Sequence, residues 1–160
     1  MHPMGGIVLL NIFNGLRQLE KKTGIAFSMN SLLGRIRIQK NVYILKVMGY
    51  KPAEKYDFAL YIHGPYSPGL ASAYYALGQK GFRLLSPSND IPKGMIDLLV
   101  DINERGVDFL EALTTLLSLR GSFSNPKIAI QKAKELKPFL DSQLWEEALN
   151  FVDANQHLWR

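Results

Sequence analysis

Eight basic side chains in this chain could meet a phosphate backbone. Arg35, Arg37 and Lys40 share one segment, Lys51 and Lys55 follow it, Lys80 and Arg83 come later, and Lys93 lies in a proline-rich stretch. Lysine and arginine gathered on one face neutralise phosphates and release counterions, the electrostatic footprint of a nucleic-acid-binding protein. A second group has another chemistry. Tyr56, Tyr61, Tyr66, Tyr74 and Tyr75 place five phenols within twenty residues, and exposed aromatic rings with a polar tip dominate protein-binding surfaces.

Residues for catalysis are not arranged at any local spacing. Of the three histidines, His2 and His157 sit near the termini and His63 ends a predicted strand, with no carboxylate spaced to complete a metal site. His63 reads as structural. No P-loop, dinucleotide fingerprint, G-x-S-x-G or His-Glu-x-x-His occurs. Glu146-Glu147 reads as exposed helix charge, and Asp97 with Asp101 as the outward face of a strand. The absence of cysteine removes disulfides, thiolate metal sites and a thiol nucleophile together. The expectation is a protein that is not an enzyme and takes no cofactor or metal.

Composition narrows the setting. Hydrophobic residues make up 47% and charged residues 21% of the 160, enough to build a core in one domain and too polar for a membrane protein. The apolar run from Gly5 to Leu10 lacks a cationic flank and a cleavage site, so it reads as a helix that stays attached, and the expected location is the cytoplasm. The net charge of +5 is unevenly placed: residues 1–83 carry eleven basic and three acidic side chains, residues 84–160 eight and eleven. The first half therefore favours an anionic partner, or else a charged solvated face.

The elements that would position these groups follow from periodicity. Leu9, Ile12, Phe13, Leu16 and Leu19 predict an amphipathic helix ending near Lys22 and Gly24. Ser28, Asn30 or Ser31 caps a second helix that runs to Met48 and stops at Gly49. This helix has apolar residues on two faces and its charges, Lys40 included, in the seams between them. Alternation from Tyr56 to Ile62 predicts a strand broken by Gly64-Pro65. Ser67-Pro68 starts a third helix that presents Ser72, Tyr75 and Gln79 outward and ends at Gly81. Phe82–Leu85 and Ile96–Ile102 then read as a hairpin around a loop holding Lys93, the wing of a winged helix. Asn103 caps a helix striped by Phe109, Leu110, Leu113, Leu116 and Leu117 up to Gly121. Asn125-Pro126 and Pro138 open two more helices. The predicted fold is α+β and mostly helical: a single domain, 1–160, with a winged-helix-like unit over 1–120 and a C-terminal helical extension over 122–160.

Two stretches resemble a known group. Arg37-Ile38-Gln39-Lys40 with Tyr43-Ile44-Leu45, and Tyr61-Ile62-His63-Gly64-Pro65-Tyr66-Ser67-Pro68, resemble the signature of the uncharacterised YwgA-like family and, more remotely, the Panacea or SocA-like domain. The resemblance covers about residues 34–85. Asn41 stands where that group is usually apolar, and Gly69 where an acidic residue is common. Panacea-like relatives imply an antitoxin or proteolytic-adaptor role, which is binding of a protein.

Two functional expectations result. In the first, a non-catalytic DNA-associated regulator contacts double-stranded DNA through Arg35, Arg37, Lys40, Tyr75, Gln79, Lys80, Arg83 and Lys93, as a homodimer where half-sites are paired. In the second, a protein-binding module uses Tyr66, Tyr74 and Tyr75 around the Gly-Pro turn. The third helix offers no arginine or asparagine for base readout, which weakens sequence-specific DNA recognition.

Overall fold

The computed structural model describes residues 3–62, 64–120, 122–123 and 125–160, with side chains described from residue 11. The expectations for His2, Leu9, His63 and Gly121 fall outside that description. Among the described residues the chain forms α1 (Pro3–Thr23), α2 (Leu32–Val47), a short 3-10 turn (Lys51–Ala53), β1 (Ala59–Tyr61), β2 (Gly64–Tyr66), α3 (Pro68–Leu84), α4 (Lys93–Glu104), α5 (Val107–Leu119), α6 (Pro126–Leu136), α7 (Ser142–Ala154) and a 3-10 turn (Gln156–Leu158). The chain is α+β and mostly helical, with one small two-stranded antiparallel sheet. No described helix is long and apolar enough to cross a membrane.

A single cluster of buried apolar residues extends from Ile12 to Val152. α5 lies at its centre and packs against α2, α4, α6, α7 and β2. Its buried residues, Phe109 through Leu117 apart from Glu111, occupy nearly the whole circumference of the helix, as a helix surrounded by others requires. α2 is enclosed in the same way, with Ile38 through Val42, Ile44, Leu45 and Val47 buried. Its start is fixed by Ser31, whose hydroxyl accepts the Gly34 N–H at 3.0 Å.

Several expectations require correction. Phe82 to Leu84 belong to α3 and Ile96 to Ile102 to α4, so the predicted wing is helical on both sides and Lys93 opens a helix. Ile96, Leu99 and Ile102 are buried against the core while Leu98 and Val100 are only half-buried. The segment has apolar residues at both parities, so it fits periods 2 and 3.6 alike, and packing of α4 on α1 decides for the helix. Asp97 and Asp101 thus pair along a helix with Lys93 (2.6 Å) and Arg105 (3.2 Å). α3 kinks at Gly78 (φ +76°) and its second stretch continues past Gly81 to Leu84. The strand foreseen over Tyr56–Ile62 shrinks to β1, and Gly64-Pro65 form the returning strand, with Ala59 opposite Tyr66 and Tyr61 opposite Gly64. The last helix begins at Ser142, capped by Asp141, and not at Pro138.

Asn103 caps nothing. It is buried in α4 and exchanges two amide hydrogen bonds with Asn41 of α2: Asn41 Nδ2 donates to Asn103 Oδ1 at 3.1 Å, and Asn103 Nδ2 to Asn41 Oδ1 at 2.7 Å. Each amide also donates one turn back along its own helix, to Arg37 O and Leu99 O. The polar residue at position 41 is thus satisfied inside the core by a partner 62 residues away. Asn41→Leu alone should cost about 1–3 kcal/mol because it strands a buried amide, while Asn41→Leu with Asn103→Leu should recover most of it. Urea denaturation of the two single variants and the pair measures the coupling.

Candidate functional site

The two motif halves meet at the junction of α2, the hairpin and α3. Gln39 holds the backbone of Ser67 from both sides. Its Oε1 accepts the Ser67 N–H at 2.8 Å and its Nε2 donates to Ser67 O at 3.0 Å, so one side chain satisfies a buried donor and acceptor. Ser67 in turn caps α3, its hydroxyl accepting the Leu70 N–H at 3.1 Å, with Pro68 as the first helical residue. Tyr43, one turn beyond Gln39, accepts a hydrogen bond from Ser118 Oγ at 3.1 Å and meets Phe58 edge-on. Burial raises the Tyr43 phenol above its usual pKa, against the Ser118 bond and the Arg120 charge.

Lys40 corrects the view of α2 as carrying its charges in exposed seams. Its side chain is buried, and a Cβ placed on Gly64 would lie 2.5 Å from Lys40 Nζ. Gly64 also has φ +94°, so both the close approach and the backbone conformation call for glycine. Burial lowers Lys40 from its usual 10.5 to about 8; the Glu111 carboxylate opposes that shift and the Lys137 ammonium adds to it. Glu111 and the equally buried Lys137 form an ion pair at 3.2 Å.

Above this floor lies a cavity of about 300 Å³. Leu32, Arg35, Ile36, Gln39 and Lys40 of α2 form one wall. The hairpin supplies Tyr61, Ile62, Gly64, Pro65 and Tyr66, and α3 supplies Tyr74 and Tyr75. Tyr74 is buried, and burial is the first cause of its raised pKa; a 3.5 Å bond from Gln39 and the Arg35 charge act the other way. Around the mouth, Tyr61 is 54% exposed, Ile62 82%, Tyr66 36% and Tyr75 58%. Tyr61 and Tyr66 meet edge-on at 5.6 Å across the two strands, an arrangement that holds both rings upright at the rim.

These features coincide with the motif on which the family resemblance rests. The uncharacterized protein YwgA of Bacillus subtilis (strain 168) is 27% identical over 164 aligned positions, covering 86% of this chain and 96% of the relative. The chain is similar to YwgA over most of its length. The similarity therefore reaches well beyond residues 34–85 and takes in the helices that surround the site. No protein-family model matches the chain, and no solved structure matches it significantly.

The eight side chains expected to contact DNA occupy different environments. Arg35 and Lys40 line the cavity with Tyr75. Gln79, expected to point outward, accepts the Met29 N–H at 2.7 Å. Arg83 pairs at 2.5 Å with Glu20, a buried carboxylate that also holds Arg17 and the Phe27 N–H. Lys93 pairs with Asp97. Arg37 is half-buried, and Lys80 is exposed with no ion pair among the described residues. The cavity wall itself was legible but unread: Leu32, Arg35, Ile36, Gln39 and Lys40 recur at i, i+3, i+4, i+7 and i+8, one face of a helix. Glu111 and Lys137 carry no such signal, since 26 residues separate them.

Proposed function

We propose that this protein is a non-catalytic protein-binding module, of the antitoxin or adaptor kind that its remote resemblance implies. The exposed rim of Tyr61, Ile62, Tyr66 and Tyr75 around an apolar cavity is the observation that supports this reading. Four large side chains left in water at one place, over a recess, are what a partner's apolar anchor would cover. Holding the rim on a hairpin clamped by Gln39 and Ser67 lowers the ordering cost of binding.

The test is capture of a stoichiometric partner by the tagged full chain in the source cell. Wild type is expected to retain one polypeptide, and Tyr66→Ala with Tyr75→Ala to lose it at unchanged fold, since hot-spot aromatics each carry about 2 kcal/mol or more. Equal retention by the double variant would contradict the proposal.

The DNA-associated reading, with winged-helix-like kinship over residues 1–120, draws on a different observation. Lys21, Lys22, Lys51, Lys55 and Lys80 of the basic half are exposed and make no ion pair among the described residues. Fluorescence anisotropy with a random duplex tests it. A steep loss of affinity between about 50 and 200 mM salt is its expected signature, and absence of binding at the lower salt contradicts it.

A further inference from the structure

The hairpin leaves one edge bare. Pro65 of β2 has no N–H, so its pairing with Leu60 is the one without mutual hydrogen bonds, and Ala59 with Tyr66 and Tyr61 with Gly64 carry the bonds of the hairpin. The Leu60 N–H and C=O therefore point away from β2, to the opposite edge of β1. No third strand lies there, and among the described residues no backbone bond from outside the hairpin reaches Leu60. Ala59, Leu60 and Tyr61 are all exposed, and Ile62 beyond them is the most exposed large apolar side chain described. Sheet edges left in water are commonly guarded by a lysine, a proline or an inward-turned charge. β1 has none of these, and only its brevity limits what can pair with it.

The occupant that matches this edge is a second copy of it. Antiparallel pairing about a two-fold axis at Leu60 lets the two Leu60 residues exchange N–H to C=O bonds, and sets Tyr61 of each copy opposite Ala59 of the other, large against small. An axis at Ala59 would instead set Asp57 against Tyr61, and an axis at Tyr61 would set two phenols against each other. No charge falls within the Leu60 register, so a second copy meets no like charge, whereas a charged foreign segment would find no counter-charge. We infer that the chain forms a two-fold dimer by antiparallel pairing of its β1 edges, giving a four-stranded sheet in the order β2, β1, β1, β2.

Three residues a side, extended by Ile62, make a small interface, so the dissociation constant is expected at about 1–100 µM. Directly opposed residues of an antiparallel pair share a face of the sheet. Tyr61 and Tyr66 meet edge-on and both line the cavity, so the dimer presents its two rims on one side, where a bivalent partner gains avidity. The dimer is independent of the protein-binding reading above.

Sedimentation equilibrium of the full chain from about 5 to 500 µM, a range that spans the expected affinity, tests this. Wild type is expected to pass from 18.1 kDa towards twice that mass. Leu60→Pro removes the edge donor and keeps the bonded pairs at Ala59 and Tyr61. It should weaken the dimer at least about tenfold, since the donor is lost on both sides of the axis, with circular dichroism unchanged. Leu60→Lys and Leu60→Glu keep every backbone bond, so they decide the matter even where proline disturbs the hairpin. Each should weaken the dimer alone, because like charges then face across the axis, and an equal mixture should associate about three- to tenfold more tightly than either. A wild-type mass fixed at 18.1 kDa to the top of the range overturns the dimer. A dimer unaffected by Leu60→Pro, or without preference for the Lys–Glu mixture, overturns the β1 edge as its interface. A monomeric wild type whose captured partner is lost in Leu60→Pro gives the edge to a foreign strand and overturns the self-pairing.

Discussion

Gly34→Ala is expected to destabilise the fold by at least about 3 kcal/mol, the upper end for overpacking. An added Cβ would lie 1.8 Å from Ser28 O, 2.6 Å from Ser28 N and 2.7 Å from Ser28 C. These are backbone atoms, so no rotamer change relieves the contact. The segment between α1 and α2 cannot simply retreat. Phe27 N–H is held by Glu20, Met29 N–H by Gln79 and Met29 O by Arg35. Moving it breaks those bonds and pulls on the Arg35 wall of the cavity. The sign is diagnostic, because at an open helical site alanine would stabilise by about 1 kcal/mol relative to glycine. A total stability of about 5–15 kcal/mol leaves little margin for the loss. Urea denaturation checks it, and a shift below about 0.5 kcal/mol would mean α2 does not press on Ser28.

Glu111→Ala should cost about 3–5 kcal/mol, the loss that follows when one partner of a buried ion pair is removed. Lys137 and Lys40, each 1% exposed, would share the interior without the carboxylate that faces both. Glu111→Leu with Lys137→Met should be far milder, since it removes charge from both sides of the pair. The same cluster sets a pH dependence. Below about pH 8 Lys40 holds its proton in both folded and unfolded chains and contributes no slope. Between about 8 and its usual 10.5 the unfolded chain keeps a proton the folded chain gives up, so stability rises with pH, by about 1.4 kcal/mol per pH unit at full effect. Near and above pH 10 the buried phenols Tyr50, Tyr56 and Tyr74, whose pKa values are raised by burial, begin to reverse the trend. Denaturation at pH 7, 8, 9 and 10 should show the rise in wild type and lose it in Lys40→Met. A flat wild-type profile would place the Lys40 ammonium in water.

Helices were readable wherever apolar spacing and caps agreed. Ile12, Phe13, Leu16 and Leu19 are buried as their spacing predicts, Ser31 and Asn125 cap as expected, and Gly24 and Gly49 sit at positive φ where α1 and α2 stop. Failure came where local pattern supports two structures. Ile96–Ile102 alternates and is also helically spaced, and only contact with α1 selects between the two. Charge was the other blind spot. Sequence treats Lys40 as a solvated cation, whereas its environment is made by Gly64, Glu111 and Lys137, residues distant along the chain. The motif pairing of Gln39 with Ser67 likewise depends on a fold that brings positions 28 residues apart together. The tyrosine cluster divided on the same ground: Tyr56 and Tyr74 entered the core, while Tyr61, Tyr66 and Tyr75 stayed at the surface.

The central claim is that the rim over the cavity is where a partner binds. Amide hydrogen exchange of the chain with and without its captured partner tests it residue by residue. The account predicts new protection concentrated in the β1–β2 hairpin, the first turns of α2 and the Tyr74–Tyr75 stretch of α3. Protection confined to α4, α6 or α7, with the hairpin unchanged, would contradict it.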